Sequence, residues 1–504
     1  MKFAEYSEDP RVWADNHFGE ATLSDVRRVD RVVTIAEAMA MKPGDSIPEM
    51  FASPYDVKAT YNLFNHVEAT PDQLQAGHRD LTIEALYQPG EYLLLGDDTS
   101  LEWNGKAPIP GLGPIGDGSP GLQGFNLHTV LAVRWADDVA AAADAQRPPI
   151  EVIGLPDQQY WVRPIPEQVA QSTKQQDQQG TQDQDSSPPK KSKSTLRKRQ
   201  YADPDLALES KVWEQSLQHI GPAPEGVRWV SVGDRGSDIY EHLKCCQDLG
   251  YGFVLRAKQN RVVLDPETKA NKGLLFDAMD AAPSLGSFTL ELRTRPDTPG
   301  RLVSLNVSAT PILLRAPQRP GYPAGQLPPL YCTAVRVWEE GATKDPLEWR
   351  LLCDGTITTF EQALKRVRQY SVRWLIEEFH KALKSGLGAE RLQLESAHRL
   401  MAAIAIMSVV ALRLLDLRER VRLHPDAPAQ QAGLSHLELE VLRLRTRKPI
   451  NTVREVALAL GRMGGHMNRK GDGMPGWLTL WRGLAELLTL VEGVLLGRKL
   501  KRPG

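Results

Sequence analysis

Cysteine is scarce in this chain: there are four in 504 residues, two of them adjacent (Cys245 and Cys246), and none in a C-x-x-C spacing. That excludes a disulfide-stapled scaffold and a cysteine zinc site, and it fits a reducing compartment. Long apolar runs are also missing. The longest, Ala402 to Leu412, falls short of the about 20 residues that a membrane span requires. The opening MKFAEYSEDPRVWADNHF carries charge where a signal peptide needs its apolar centre. A cytoplasmic protein with no membrane partner is expected. An excess of one charge is lacking as well. The formal net charge is −2, so the protein is not basic all over and any contact with nucleic acid has to be local.

What is present is a folded protein. It is 41% hydrophobic and 25% charged, long enough for about two to four domains. Residues 1–70 read as short helices separated by Pro and Gly turns, with Ser24 or Asp25 as the N-cap of SDVRRVDRVVTIAEAMA. On that helix Arg28 and Arg31 share a face and Arg27 lies beside it. The bland reading of the three is a solvated face.

From about residue 92 the pattern turns to strands: YLLLGDDTSLEW, then GFNLHTVLAVRW after a Gly/Pro-rich loop, with QYWVRPI as a third. Residues 167–200 are polar and split into a Gln/Asp half and a Lys/Arg half, a composition that reads as a mobile surface insertion. Then VRWVSVGDRGSDIYEHL and YGFVLRAKQN give strand, helix, strand, and Asp234 stands at the carboxyl end of the first strand, where open α/β sheets place ligands. Residues 262–360 are expected to be an all-β insertion. Beyond Thr359 the chain reads as helical.

The densest chemistry lies in QYSVRWLIEEFHKALKSGLGAERL. Read as one helix, it puts Tyr370, Arg373, Glu377 and Lys384 within a sector of about 60°, beside an apolar stripe of Ile376, Phe379, Leu383 and Leu387. Glu378 falls about 100° from Glu377, which selects Glu377 as the inward carboxylate. The same spacing also makes Arg373 and Glu377 an ordinary i, i+4 ion pair. Asp97 and Asp98 end one apolar strand and Asp234 ends another. Three carboxylates on adjacent elements suit two Mg²⁺ ions, hard cations that prefer oxygen ligands and promote in-line phosphoryl displacement.

The interval Tyr, two residues, Arg, three residues, Glu, six residues, Lys resembles the bacterial cut-and-paste DDE transposases of the insertion-sequence branch that carries this signature. GDDTSLEW is similar to the family's first acidic motif and selects Asp97, with Asp98 as second candidate. VGDRGSDIY is similar to its second motif and selects Asp234, with Asp238 as runner-up.

The resemblance implies an α/β RNase H-like catalytic core with an inserted all-β subdomain, flanked by N-terminal and C-terminal helical domains. By domain, it implies DNA-end binding by 1–70, catalysis by 71–395 and dimerisation by 396–504. Asp97, Asp234 and Glu377 would be the catalytic metal ligands, with two Mg²⁺ per site and Mn²⁺ able to substitute. Tyr370, Arg373 and Lys384 would hold phosphates, and Trp349 would receive a flipped base. Arg256 and Lys258 would lie beside the DNA end, although exposed edge-strand charges look the same. Arg27, Arg28 and Arg31 would contact transposon ends. His128 is expected to be a satisfied interior histidine. The implied partners are transposon-end DNA, target DNA and a second copy in a synaptic complex. The alternatives are a catalytically silent end-binding regulator and a metal-dependent endonuclease without strand transfer.

Overall fold

A run such as YLLLG, apolar at every position, has to be covered on both faces. In the computed structural model, which describes residues 9–105, 107–116, 121–135, 150–163, 209–292, 300–317, 327–341, 346–469 and 472–500, it opens a central strand of a large mixed sheet. The polar segment 167–200 lies outside the described residues.

The strands are β1 (Glu91–Asn104), β2 (Gly113–Pro114), β3 (Leu122–Trp135), β4 (Ile150–Trp161), β5 (Arg228–Gly233), β6 (Gly252–Arg256), β7 (Val262–Leu264), β8 (Asn271–Leu274), β9 (Ser284–Leu292), β10 (Arg301–Leu314), β11 (Leu330–Glu339) and β12 (Glu348–Cys353). Their order is β2-β3-β1-β5-β6-β12-β11-β10-β7-β8, with β4 on β3 and β9 on β10. β3 runs antiparallel to β1, and β4 antiparallel to β3. β5 is parallel to β1, and β6 parallel to β5. Parallel neighbours need a crossover, and the Tyr240–Asp248 helix supplies it between β5 and β6.

Successive residues of a strand face opposite sides, and the two cores follow that alternation. Leu93, Leu95, Val230 and Val232 pack on the side that holds the N-terminal helices and the Ala397–Leu423 helix. Tyr92, Leu94 and Trp229 pack on the other side with Leu217, Leu243 and Cys246. The four cysteines are buried and unpaired. The N-terminal region is helical (Pro10–Phe18, Val26–Met41 and Pro54–Phe64 among its elements), with Asp25 as the N-cap of the second of these. The C-terminal helices His436–Thr446, Val453–Met463 and Trp477–Leu500 share a third core.

Three expectations are corrected. Residues 262–360 do not form a separate all-β unit: β12 pairs with β6 and so extends the same sheet outward, and a short helix, Leu275–Asp280, interrupts the strands. The reason is the open edge of β6, which an antiparallel strand satisfies. The segment from Tyr370 to Leu387 is not one helix either. Phe360–Ser371 ends, Trp374–Lys381 begins, and Ala382–Gly386 is a π turn. At the break the amides of Arg373, Leu375 and Ile376 bond three residues back, to Tyr370, Val372 and Arg373, which overwinds the turn and re-aims the helix beyond it. Last, the apolar run after Leu400 belongs to a helix of 27 residues, long and apolar enough by length and composition to cross a membrane. Most of it, 88% of its most apolar window, is buried inside the protein, as in a central core helix.

Candidate functional site

Pairing of β1 with β5 reaches Leu95 opposite Val232. Two residues further along each strand come Asp97 and Asp234, which the register sets on neighbouring strand ends. A glycine precedes each, Gly96 and Gly233, for a packing reason: a Cβ at Gly96 would come within 2.6 Å of the Trp213 ring, and one at Gly233 within 2.4 Å of Ser237 Oγ and 3.0 Å of the same ring. Trp213, from the Lys211–Ile220 helix, thus braces the backbone under both aspartates. Its ring also meets His128 and His242 edge-on, with centroids 4.7 and 5.5 Å away.

Asp97 is largely buried, its side chain 16% exposed. Its nearest cation is Arg373, Nη1 at 3.7 Å, and the ring nitrogen Nδ1 of His380 lies at 3.9 Å. Burial pushes its carboxyl up to about 7; Arg373 opposes that, and the negative charges of Asp234, Asp98 and Glu377 add to it. Glu377, on the Trp374–Lys381 helix, accepts a hydrogen bond from Arg373 Nη2. Asp234 accepts one from the Gly236 amide at 2.6 Å and caps the single turn Arg235–Ser237. The structure therefore brings Asp97, Asp234 and Glu377 into one electrostatic neighbourhood, with Arg373 bridging two of them.

The second candidate of each acidic pair is occupied elsewhere. Asp98 stands directly across from His128 in the β1–β3 register, and its Oδ1 lies 2.6 Å from His128 Nδ1. That makes His128, 1% exposed, an interior histidine with a partner. Asp238 is buried and accepts from the Lys258 and Gln259 amides, at 2.7 and 2.9 Å, and from Arg261. Glu378 pairs with Arg418. Asp238 is thus held by fixed hydrogen bonds and Glu378 by a buried guanidinium, whereas Asp98, its side chain 38% exposed, is engaged through one oxygen.

Around the carboxylates stand the other residues singled out from the sequence. Tyr370, on the preceding helix, is buried, and its ring meets Trp349 of β12 edge-on at 5.6 Å. Burial raises its hydroxyl's pKa against the pull of Arg373 and Arg256. Arg256, half-buried at the end of β6, also reaches the Glu348 carbonyl at 3.3 Å. Lys258 is exposed. Lys384 donates to the Ser100 carbonyl at 2.8 Å and pairs with Glu390 at 3.0 Å, fastening the π turn to β1.

In the N-terminal region Arg27 projects into solvent, its side chain 88% exposed beside Asp25. All three N-terminal arginines are ion-paired: Arg27 with Asp25 at 2.9 Å, and the less exposed Arg28 and Arg31 with Glu68 at 3.1 Å and Asp56 at 2.7 Å. Phosphates would have to compete with those carboxylates.

His380, Trp213 and Glu390 were not singled out from the sequence. His380, buried, has its pKa lowered to about 3, first by burial and then by His128, Lys384 and Arg373. Its only sequence signal is its place one turn after Glu377.

For a metal, the donor chemistry fits: an excess of carboxylate oxygens, whose mutual repulsion helps raise Asp97, suits a hard divalent cation that would relieve it. As the chain lies, no group of three or more His, Cys, Asp or Glu side chains among the described residues is close enough together to hold an ion.

Comparison with protein-family models matches residues 10–69 to a transposase DNA-binding family and residues 437–504 to the transposase Tn5 dimerisation domain. Among solved structures, the chain is similar to a cryo-EM structure of piggyBac transposase synaptic complex with hairpin DNA. The identity is 8%, the alignment covers 99% of this chain and 81% of that one, and the TM-score is 0.33. A likeness that distant carries no argument. The two family matches place a transposase DNA-binding segment at one end of the chain and a Tn5-type transposase dimerisation segment at the other.

Proposed function

We propose that this protein is a transposase that cuts and joins DNA by phosphoryl transfer at a DDE-type site of Asp97, Asp234 and Glu377 in an RNase H-like core. The observation that carries the reading is the convergence on largely buried Asp97: the β1–β5 register sets Asp234 on the neighbouring strand end, and Arg373 joins Asp97 to Glu377. The strand order β4-β3-β1-β5-β6, antiparallel on one side of β1 and parallel on the other, supports an RNase H-like arrangement.

Asp97, Asp234 and Glu377 would hold two Mg²⁺. Bound there, the ions would supply activation of an attacking oxygen and charge stabilisation of the leaving one. The reaction course is that of the resembled family: nicking at the transposon end, attack of the freed 3′-hydroxyl on the opposite strand to give a hairpin, hairpin opening by water, and strand transfer into target DNA.

The chain's own residues orient and hold. Arg373 sits between two carboxylates, a cation ready to meet a phosphate oxygen. Lys384 and Tyr370 flank it, and Arg256 and Lys258 extend positive charge along the strand ends. Trp349, half-buried against Tyr370, would take the base that leaves the stack when the terminus is bent. Residues 1–70 would bind ends, 71–395 would carry the chemistry, and 396–504 would join two copies in the synaptic complex. The setting would be the bacterial cytoplasm, at the nucleoid.

The test is incubation of a labelled fragment carrying the boundary of the encoding element with Mg²⁺, beside Asp234→Ala, resolved on a denaturing gel. Nicks and hairpins are expected from the wild type alone, with a loss of at least about a thousandfold in the variant. Binding of ends by the wild type without cleavage would favour the silent regulator. Cleavage without joining to target DNA would favour the endonuclease.

A further inference from the structure

Glu377 and Glu378 are adjacent, yet they look in different directions. On a helix they diverge by about 100°. Glu377 meets Arg373, whereas the Glu378 carboxylate meets Arg418 Nη2 at 2.5 Å. Arg418 also holds Glu419 at 2.6 Å, and Glu419 takes Arg422 at 2.8 Å. The Glu378 and Arg418 side chains are 13% and 5% exposed.

The helix that carries the two glutamates has only eight residues, Trp374–Lys381, with an overwound break before it and a π turn after it. Continuity with neighbouring helix therefore does little to fix its rotation about its own axis. Ile376 and Phe379 bury one side, but apolar packing is non-directional and tolerates some roll. A buried ion pair does not, because turning away would leave a guanidinium and a carboxylate unpaired out of water.

We infer that Glu378 is a positioning residue: its ion pair with Arg418 sets the roll of the short helix and so aims Glu377 at Asp97. The inference rests on the proposed reading of Glu377 as a catalytic carboxylate. Arg418 belongs to the Ala397–Leu423 helix, which packs against the C-terminal helices Val453–Met463 and Trp477–Leu500. The pair therefore also ties the aim of Glu377 to the region matched by the dimerisation family.

The experiment uses full-length protein and labelled transposon-end DNA, with wild type, Glu378→Gln, Arg418→Lys and the exchange Glu378→Arg with Arg418→Glu. Four quantities are read: nicking rate at saturating ends, the Mg²⁺ concentration for half-maximal rate, end affinity without metal, and the folded fraction. For Glu378→Gln the nicking rate per folded molecule should fall about tenfold to a hundredfold, the cost of a small misplacement at a reacting centre. Its Mg²⁺ requirement should rise, and its end affinity should stay within about twofold of wild type. The exchange should recover part of the rate.

A wild-type rate per folded molecule in Glu378→Gln, or a loss matched by an equal loss of end affinity, would overturn the inference. If that variant does not fold, Arg418→Lys decides by the same split, since it keeps the charge and loses the fork. A wild type that does not nick would instead sink the catalytic reading of Glu377, and this inference with it.

Discussion

The acidic groups at the ends of β1 and β5 and those around Arg418 lie at opposite flanks of one short helix and treat charge in opposite ways. Around Arg418, Glu378 and Glu419 are matched by Arg418 and Arg422, so opposite charges compensate one another. At the strand ends, Asp97 and Glu377 share the single guanidinium of Arg373 with Asp234 nearby, and Asp97 is left with its carboxyl pushed up to about 7 by burial and by its acidic neighbours. Stability does not ask for such a cluster. In the proposed reading, the unmatched cluster is the one that would receive a ligand bringing positive charge. The pair Asp234 and Asp238 repeats the contrast: among the described residues one hydrogen-bonds its own turn, and the other is locked by two amides and Arg261.

The largest effect that tests this contrast is on the locked side. Asp238→Ala leaves the largely buried Arg261 without its carboxylate and is expected to cost about 3 to 5 kcal/mol of stability, read as a lowered denaturant midpoint. A small change there would mean that Asp238 is not structural.

Asp97→Asn should do the reverse. The carboxyl ionises near 7 in the folded chain against an ordinary 3.8, so its contribution to stability is fully present below about pH 4 and is lost as pH rises through about 7. Asparagine suffers no such loss. The variant should be more stable than the parent by about 2 to 4 kcal/mol at pH 8, equal to it near pH 4, and inactive in cleavage. Parallel stability curves across that range would remove the argument for an unmatched site.

Smaller again is Gly96→Ala. Its Cβ would meet the Trp213 ring at 2.6 Å, and displacing that brace should cost about 1 to 3 kcal/mol. Tryptophan fluorescence would report the movement, and an unperturbed spectrum would argue that the ring does not support the strand ends. The smallest effect belongs to Arg27→Ala, which should leave folding unchanged and reduce the salt dependence of end binding by about one phosphate contact. An unchanged slope would move the contact to Arg28 and Arg31, at the expense of their ion pairs.

Much of the site was readable residue by residue. Strand ends at Asp97 and Asp234 are legible as apolar runs stopped by acid, and Glu377 from helical spacing. What spacing missed was the break at Val372 and Arg373, because hydrogen bonding to the third residue back leaves no mark in a periodicity. Tyr370 therefore lies on a different helix from Glu377. The all-β reading of 262–360 recognised strands but not their sheet, since pairing with β6 is a long-range choice that no local pattern encodes. Trp213, His380 and Glu390 were invisible for the same reason: each acquires its role only from the elements that fold against it.

By itself the sequence determined the alternation that divides the sheet's two cores, the caps and turns that bound its helices, and the list of carboxylates from which a site can be made. Those are matters of local sterics and period. Only the tertiary structure decided which member of each acidic pair meets the protein's own donors and which stands in the cluster around Asp97. That depends on cross-strand and interhelix neighbours such as His128, Arg261 and Arg418, brought near by burial of surface elsewhere in the chain.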